Sequence, residues 1–271
     1  MKEVQHDMTS FREMHNGSGP LIIPNPWDVG SARILAAMGF RALATTSAGM
    51  AFSLGIREGQ ATRDQVVAHC QMMVAATPLP VSADLEQGFG DSPESAAETI
   101  RFAAGIGLAG CSLEDHTGKR DHPIYEFTLA VERIAAAVEA RNAVGQDFVL
   151  TARCENYLWN RPNLDDTIKR LQAFERAGAD VLYAPGLRDL DTIRTICQAL
   201  NKPVNVLMGI PGVSFGVPEL TEAGARRISV GSALARLAYG SFVDATREMI
   251  STGTFQLVGK AMDFAELEGF F

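Results

Sequence analysis

Several kinds of protein are excluded by what this 271-residue chain has little of. Its four cysteines, Cys70, Cys111, Cys154 and Cys197, lie far apart with no C-x-x-C pair. That argues against a disulfide framework or a zinc knuckle. The longest uncharged stretches, residues 42–56 and 203–218, are broken by Ser, Gly or Pro. Both fall short of the roughly 20 predominantly apolar residues a membrane span needs. The opening segment, MKEVQHDMTSFREMHNG, has no apolar core before a small-residue cleavage site, so no secretory signal is expected and the expected location is cytoplasmic. Lys and Arg number 24 against 32 Asp and Glu, a net charge of −8, and no basic cluster occurs. Nucleic acid is therefore not an expected partner.

What is present describes a globular α/β protein. Hydrophobic side chains make up 46% of the chain and charged ones 21%. Eight short apolar or β-branched runs, at residues 21–24, 42–47, 80–84, 110–114, 148–153, 181–184, 204–208 and 227–230, alternate with segments of helical period. Those segments fall at 31–38, 63–76, 95–104, 129–141, 165–177 and 189–200. Alternation of this kind implies right-handed crossovers, a parallel sheet covered on both faces and, with eight repeats, a closed (β/α)8 TIM-type barrel. Gly39, Gly107, Gly178 and Gly224 stand where left-handed helix C-caps are expected. The loops after the strands hold PNPWD, TTSAGMAFSLG, ADLEQGFGD, LEDHTGKRDH, ARCENYLWNR, YAPG and LMGIPG, and function is expected there. Two more helical stretches follow, at 232–250 and 255–267. Phe255, Leu257, Val258, Met262, Phe264 and Leu267, with Phe270 and Phe271, would cap the barrel or dock on a neighbouring subunit. The expected organisation is one domain, 1–271, with an N-terminal arm (about 1–18) and a C-terminal helical extension (about 251–271).

The chemistry concentrates in acids. Asp84 and Glu86 end the third strand as D-L-E, and Glu114 and Asp115 end the fourth, so adjacent strands deliver several carboxylates to one mouth. Like charges held together repel, and an all-oxygen set without His or Cys at ligand spacing suits Mg²⁺ or Mn²⁺. The competing reading makes these acids solvated strand ends or helix caps. Gly49, Gly55, Gly88 and Gly90 let backbone N–H groups approach an anion. Arg153 has the planar fork for a bidentate grip on a carboxylate, or else it pairs with Glu155. In the loop after strand four, His116, Lys119, Arg120 and His122 supply a proton donor or are merely solvated. Cys111 and Cys154 read as small core residues. Tyr183 and Asn205 are polar contacts for a ligand, or a rim residue and a backbone-satisfied amide.

The order of the motifs carries a resemblance. PNPWD (24–28), TTSAGMAFSLG (45–55), ADLEQGFGD (83–91), LED (113–115), ARCE (152–155) and GADVLYAPG (178–186) resemble successive signatures of the isocitrate lyase/phosphoenolpyruvate mutase superfamily. PVNVLMGIPG and ELTEAGARRISVG resemble its phosphonomutase-like branch. The resemblance implies a (β/α)8 barrel, with its last helix often exchanged within a homodimer or homotetramer, that binds Mg²⁺ and a 2-oxo acid. By the same resemblance Asp84 is the direct metal ligand, and Glu86 and Glu114 reach the ion through water. Ser47, Ala48 and Gly49 meet the substrate carboxylate and oxo group, and Arg153 pairs with its other oxygens. Three departures stand out: D-L-E replaces D-x-D, HTGKRDH replaces the K-K-C-G-H or K-x-N gating segment, and G-I-R-E places Glu58 where the mutase group has aspartate. The expected function is a Mg²⁺-dependent lyase, decarboxylase or acyl hydrolase of a small 2-oxo or 2-hydroxy dicarboxylate acting through a pyruvate-like enolate. Asp84, Glu86 and Glu114 are the expected metal residues; Arg153, Glu114, His116 and His122 the catalytic ones; and Ser47, Ala48, Gly49, Asp84, Arg153 and Asn205 the substrate contacts. The alternatives are a phosphonopyruvate hydrolase or other C–P bond enzyme and a non-catalytic 2-oxo acid binding protein.

Overall fold

The computed structural model describes residues 10–271, so the first half of the expected N-terminal arm lies outside the described residues. Eight strands, β1 (Leu21–Ile23), β2 (Leu43–Ala44), β3 (Val81–Asp84), β4 (Gly110–Glu114), β5 (Val149–Arg153), β6 (Val181–Tyr183), β7 (Val204–Leu207) and β8 (Arg227–Ser229), form one parallel sheet in the order β1-β8-β7-β6-β5-β4-β3-β2. Helices α1 (Phe11–Met14), α2 (Val29–Ala37), α3 (Ser47–Ser53), α4 (Arg63–Ala76), α5 (Pro93–Gly105), α6 (Phe127–Val144), α7 (Leu164–Ala177), α8 (Leu190–Gln198), α9 (Val217–Glu222), α10 (Ala233–Thr252) and α11 (Phe264–Glu268) accompany them. None is long and apolar enough to cross a membrane. Asp28, Thr62 and Ser92 accept from backbone N–H groups to start α2, α4 and α5, satisfying donors a helix cannot pair internally. The four glycines expected to end helices all have positive φ, from 87° to 106°.

The seam between β1 and β2 carries no strand ladder. It is closed by the Ala44 N–H donating to Pro24 O at 3.0 Å and by Asn25. The Asn25 amide donates to Thr45 O, and its Oδ1 accepts from the Val230 and Gly231 N–H groups, both at 2.9 Å. One side chain of the PNPWD motif thus joins the ends of β1, β2 and β8, and the barrel is nearly complete.

Under the barrel, Phe11 of α1 packs with Leu21, Ile23, Ala42, Ala44, Val149 and Val181 as a plug. Beside it His15 is buried, its Nδ1 bonded to Phe11 O at 2.8 Å. Burial and the Arg227 charge push its imidazole down to about 4. An unfolded imidazole takes up its proton near 6.5, so between pH 6.5 and 4 the unfolded chain binds more protons. This contribution to stability is therefore complete above 6.5 and is lost as pH falls. Urea unfolding should show the stability gap between wild type and His15→Gln narrowing by about 3 kcal/mol over that window. A gap that stays constant would mean that His15 titrates normally.

The C-terminal segment departs from expectation. Only Ala235 of α10 is buried, and the expected helix over 255–267 is instead a 3-10 turn (Val258–Lys260) followed by α11. Glu248 accepts from the Gln256 and Leu257 N–H groups and Asp263 from Ala265 and Glu266, so two local carboxylate caps break the run. The segment does not cap its own barrel: Ile250 is 88% exposed and Phe264 75%.

Candidate active site

The acids at the carboxyl ends of β3, β4 and β5 meet around Arg153. Its Nη1 donates to Asp84 Oδ1 at 3.0 Å, Nη2 lies 3.1 Å from Glu114 Oε2, and Nη2 and Nε both reach Glu155 Oε1, at 2.7 and 2.8 Å. A guanidinium has five N–H donors. Two of them, on Nη1 and Nε, are committed to hydrogen bonds with Asp84 and Glu155, while Nη2 lies in ion-pair contact with Glu114 and Glu155. The substrate grip expected of Arg153 would have to share the guanidinium with these carboxylates, and the expected pair with Glu155 is present as a buried contact. Glu155 is anchored in turn: its N–H donates to Asp115, which Arg170 holds at 3.2 Å.

One arginine does not neutralise this many acids. Burial, reinforced by the charges on Asp84, Glu114 and Glu58, pushes Glu86 up to about 8, and burial does the same to Glu155 despite Arg153. Burial and the charges of Asp84 and Glu114 also raise Glu58. Glu86 sits at φ +50°, a left-handed conformation that a side chain adopts at a cost, fixed by its N–H on Asp84 Oδ1 and its carbonyl on the Glu114 N–H. The QGFGD turn that follows is tied down by Arg133, which donates to Gln87, Gly90 and Ser92 carbonyls. Sequence reading gave no sign of that clamp, because Arg133 is an unremarked residue of α6.

The segment after β2, expected as a loop, is helix α3 capped by Thr46. Ser47 opens it, donating its hydroxyl to Asp84 Oδ2 at 3.0 Å, with Glu58 Oε1 at 3.4 Å. Ser47 and Ala48 line the central cavity, whereas Gly49 lies off the wall with its N–H on Thr46 Oγ1. The glycine is required by packing: a Cβ there would stand 2.8 Å from that of Trp27. The gating segment folds as a small hairpin, His116 bridging Ile124 and Lys119 pairing with Asp91. His116 stacks on Trp159 with ring centroids 4.0 Å apart and its Nδ1 3.5 Å from Glu114, while His122 is exposed. Neither histidine lines the cavity, against the expectation that one donates a proton there. Cys111 and Cys154 are buried thiols that burial pushes far up, as expected of core residues.

The cavity holds about 330 Å³ and runs from the barrel mouth to its floor. Asp84, Glu58, Arg153, Tyr183 and Asn205 share its wall with two arginines the sequence reading passed over, Arg227 and Arg236. Arg236 is on α10 at the rim, its Nη2 on Gly209 O. Among the described residues no three His, Cys, Asp or Glu side chains close on one point as a metal cage. Asp84 and Glu58 face the cavity, and Glu86 and Glu114 are not on its wall. An oxygen-only set with uncompensated negative charge and few direct ligands fits Mg²⁺, which keeps several waters and takes one or two carboxylates.

A nearly closed parallel barrel with an acid-rich cavity at its strand ends belongs to the (β/α)8 class, whose sites lie on that face. Within that class, residues 11–250 match the phosphoenolpyruvate phosphomutase family model, and the chain belongs to this family and to the isocitrate lyase/phosphoenolpyruvate mutase superfamily. A protein of Burkholderia cenocepacia J2315 with a provisional lyase/mutase assignment is 53% identical, with a TM-score of 0.94 over 97% of this chain and 94% of that one. The structure of 2,3-dimethylmalate lyase is 29% identical, TM-score 0.84, covering 96% of this chain and 92% of that one. Oxaloacetate acetylhydrolase in complex with its product oxalate is 25% identical, TM-score 0.84, covering 96% and 91%.

Proposed function

We propose that this protein is a Mg²⁺-dependent enzyme, Mn²⁺ being able to substitute, that cleaves a carbon–carbon bond in a small 2-oxo or 2-hydroxy dicarboxylate as a lyase, decarboxylase or acyl hydrolase. The observation that carries this is the surplus of carboxylates on and behind one cavity wall, with Arg153 as their shared cation. Relatives named 2,3-dimethylmalate lyase and oxaloacetate acetylhydrolase support the substrate class. Asp84 would hold the ion directly, with Glu86 and Glu114 supporting it from behind. When bound, the ion would supply charge stabilisation at the substrate's C1 carboxylate and C2 oxygen. Ser47 and Ala48, at the start of α3, would meet the C1 carboxylate on the cavity wall. Arg153 fixes the carboxylates in place, and Arg236 at the rim matches a second carboxylate.

Metal-stripped protein should be inactive on a panel of such dicarboxylates and regain turnover with Mg²⁺. Full turnover in chelator overturns the assignment, and phosphate release from phosphonopyruvate as its one reaction would replace it with C–P chemistry. The positions of His116 and His122 favour a second reading, a 2-oxo acid binding protein without turnover. Calorimetric oxalate binding with no product from any candidate would select it.

The uncovered C-terminal apolar face is proposed to pack on a second copy of the chain, in a homodimer or homotetramer. Deleting residues 253–271 should lower the mass measured by light scattering, and an unchanged mass would place the interface elsewhere.

A further inference from the structure

The middle of a (β/α)8 barrel is ordinarily packed with branched apolar side chains. Here that level is polar. Ser82, Ser112 and Thr151 from β3, β4 and β5, and Asn205 and Arg227 from β7 and β8, line the lower end of the cavity, beneath the acids of the mouth. Arg227 is 4% exposed, and among the described residues its guanidinium makes one hydrogen bond, Nη1 to Thr151 Oγ1 at 3.1 Å. Its Nε is buried with no partner. No carboxylate is paired with it among the described residues, whereas Arg153 one layer above has three. Beside it Asn205, 1% exposed, bonds Ser229 Oγ through Nδ2 and leaves Oδ1 unpartnered. Turning the amide over lets the Ser229 hydroxyl donate to Oδ1 and frees Nδ2 as a further donor into the floor.

A water molecule can satisfy the loose N–H groups but cannot balance the charge. A buried cation without a counter-charge is far costlier than an unpaired dipole. Burial pushes the guanidinium down to about 10, and the Tyr183 phenol offsets this only in part. The phenol cannot serve as counter-ion, since burial raises its own titration to about 12.

We propose that the barrel floor is an anion site, in which Arg227, Asn205 and Thr151 hold one small monovalent anion of halide or carboxylate size, distinct from the acid-lined site above it. The anion has two possible sources, a free ion such as chloride or formate and a carboxylate of a molecule bound in the upper cavity, and the experiment separates them. The floor site does not depend on the reading of the upper site.

Metal-free wild-type protein is melted at constant ionic strength while gluconate, too large for the floor, is replaced by chloride or formate. A saturable rise in Tm of about 5 °C is expected at an anion concentration near 100 times Kd. Arg227→Met, which keeps the side chain's length and removes its charge, should lose that rise. A rise with oxalate alone, again lost in Arg227→Met, would assign the anion to the bound molecule. If Arg227→Met does not fold, crystals of the wild type grown in bromide decide: an anomalous peak within hydrogen-bonding reach of the Arg227 guanidinium is expected. No peak, together with melting curves that respond equally to gluconate and the small anions, would overturn the proposal.

Discussion

Asp84→Ala is expected to abolish metal-dependent turnover, with a loss of about 10³-fold or more, the scale on which removing preorganised charge stabilisation acts. Asp84 sits at the end of β3, held by Arg153 Nη1 and the Ser47 hydroxyl, and its backbone N–H donates to Thr45 Oγ1 at 2.9 Å. It is thus the acid both facing the cavity and fixed on three sides. The fold should survive, because Arg153 keeps Glu114 and Glu155 as partners. The cost in stability should be about 1.5–3 kcal/mol, the range for a lost hydrogen bond to a charged group. Calorimetric titration with Mg²⁺ should show weak or absent binding while the far-ultraviolet spectrum is unchanged. Unaltered Mg²⁺ affinity in this variant would move the metal site elsewhere.

Arg153→Met is expected to have the largest effect on stability. Among the described residues the arginine is the permanent cation that Asp84, Glu114 and Glu155 share, two of them at most 10% exposed at the side chain and Asp84 18%. Removing one partner of a buried ion pair leaves uncompensated charge and costs about 3–5 kcal/mol, which for a chain of this size corresponds to a fall in Tm of about 10 °C. The loss should depend on pH in a defined direction. Glu86 and Glu155 already titrate near 8 in the folded protein, against 4.5 for an ordinary glutamate. Between those values the folded state holds protons that the unfolded chain releases. Their contribution to stability is therefore greatest at low pH and declines as pH rises toward 8. Without Arg153 the decline should steepen, so the deficit measured by urea unfolding should be larger at pH 8 than at pH 5.5. A deficit independent of pH would show that the acids are neutralised by something other than Arg153.

The barrel was legible because its signals are local. Short apolar or β-branched runs mark the strands, period-3.6 segments mark the helices, and glycines mark the helix ends. The acids at the ends of β3 and β4 could be placed at one mouth because residues at the carboxyl ends of parallel strands share a face whatever the packing between them. Helix α3 escaped detection because TTSAGMAFSLG is rich in residues of weak helical preference. Its start depends on the Thr46 cap and its packing against Trp27. The continuous helix expected over 255–267 failed for the opposite reason. Its apolar spacing suits a helix, but Glu248 and Asp263 offer the backbone other partners.

Within the site, residue type and position along the strand identified Asp84, Glu86, Glu114, Arg153 and Asn205 as candidates. What each touches was open, because hydrogen-bond partners across a barrel come from strands far apart in sequence. The sequence by itself determined the alternation of strands and helices, the family and the convergence of acids at the strand ends, since all three follow from chain order and side-chain chemistry. Only the tertiary structure decided that Arg153 is occupied by three carboxylates, that His116 and His122 stand off the cavity and that Arg227, among the described residues, lies buried in the barrel floor without a paired carboxylate. Burial and pairing are properties of three-dimensional neighbours, and one position along the chain does not specify them.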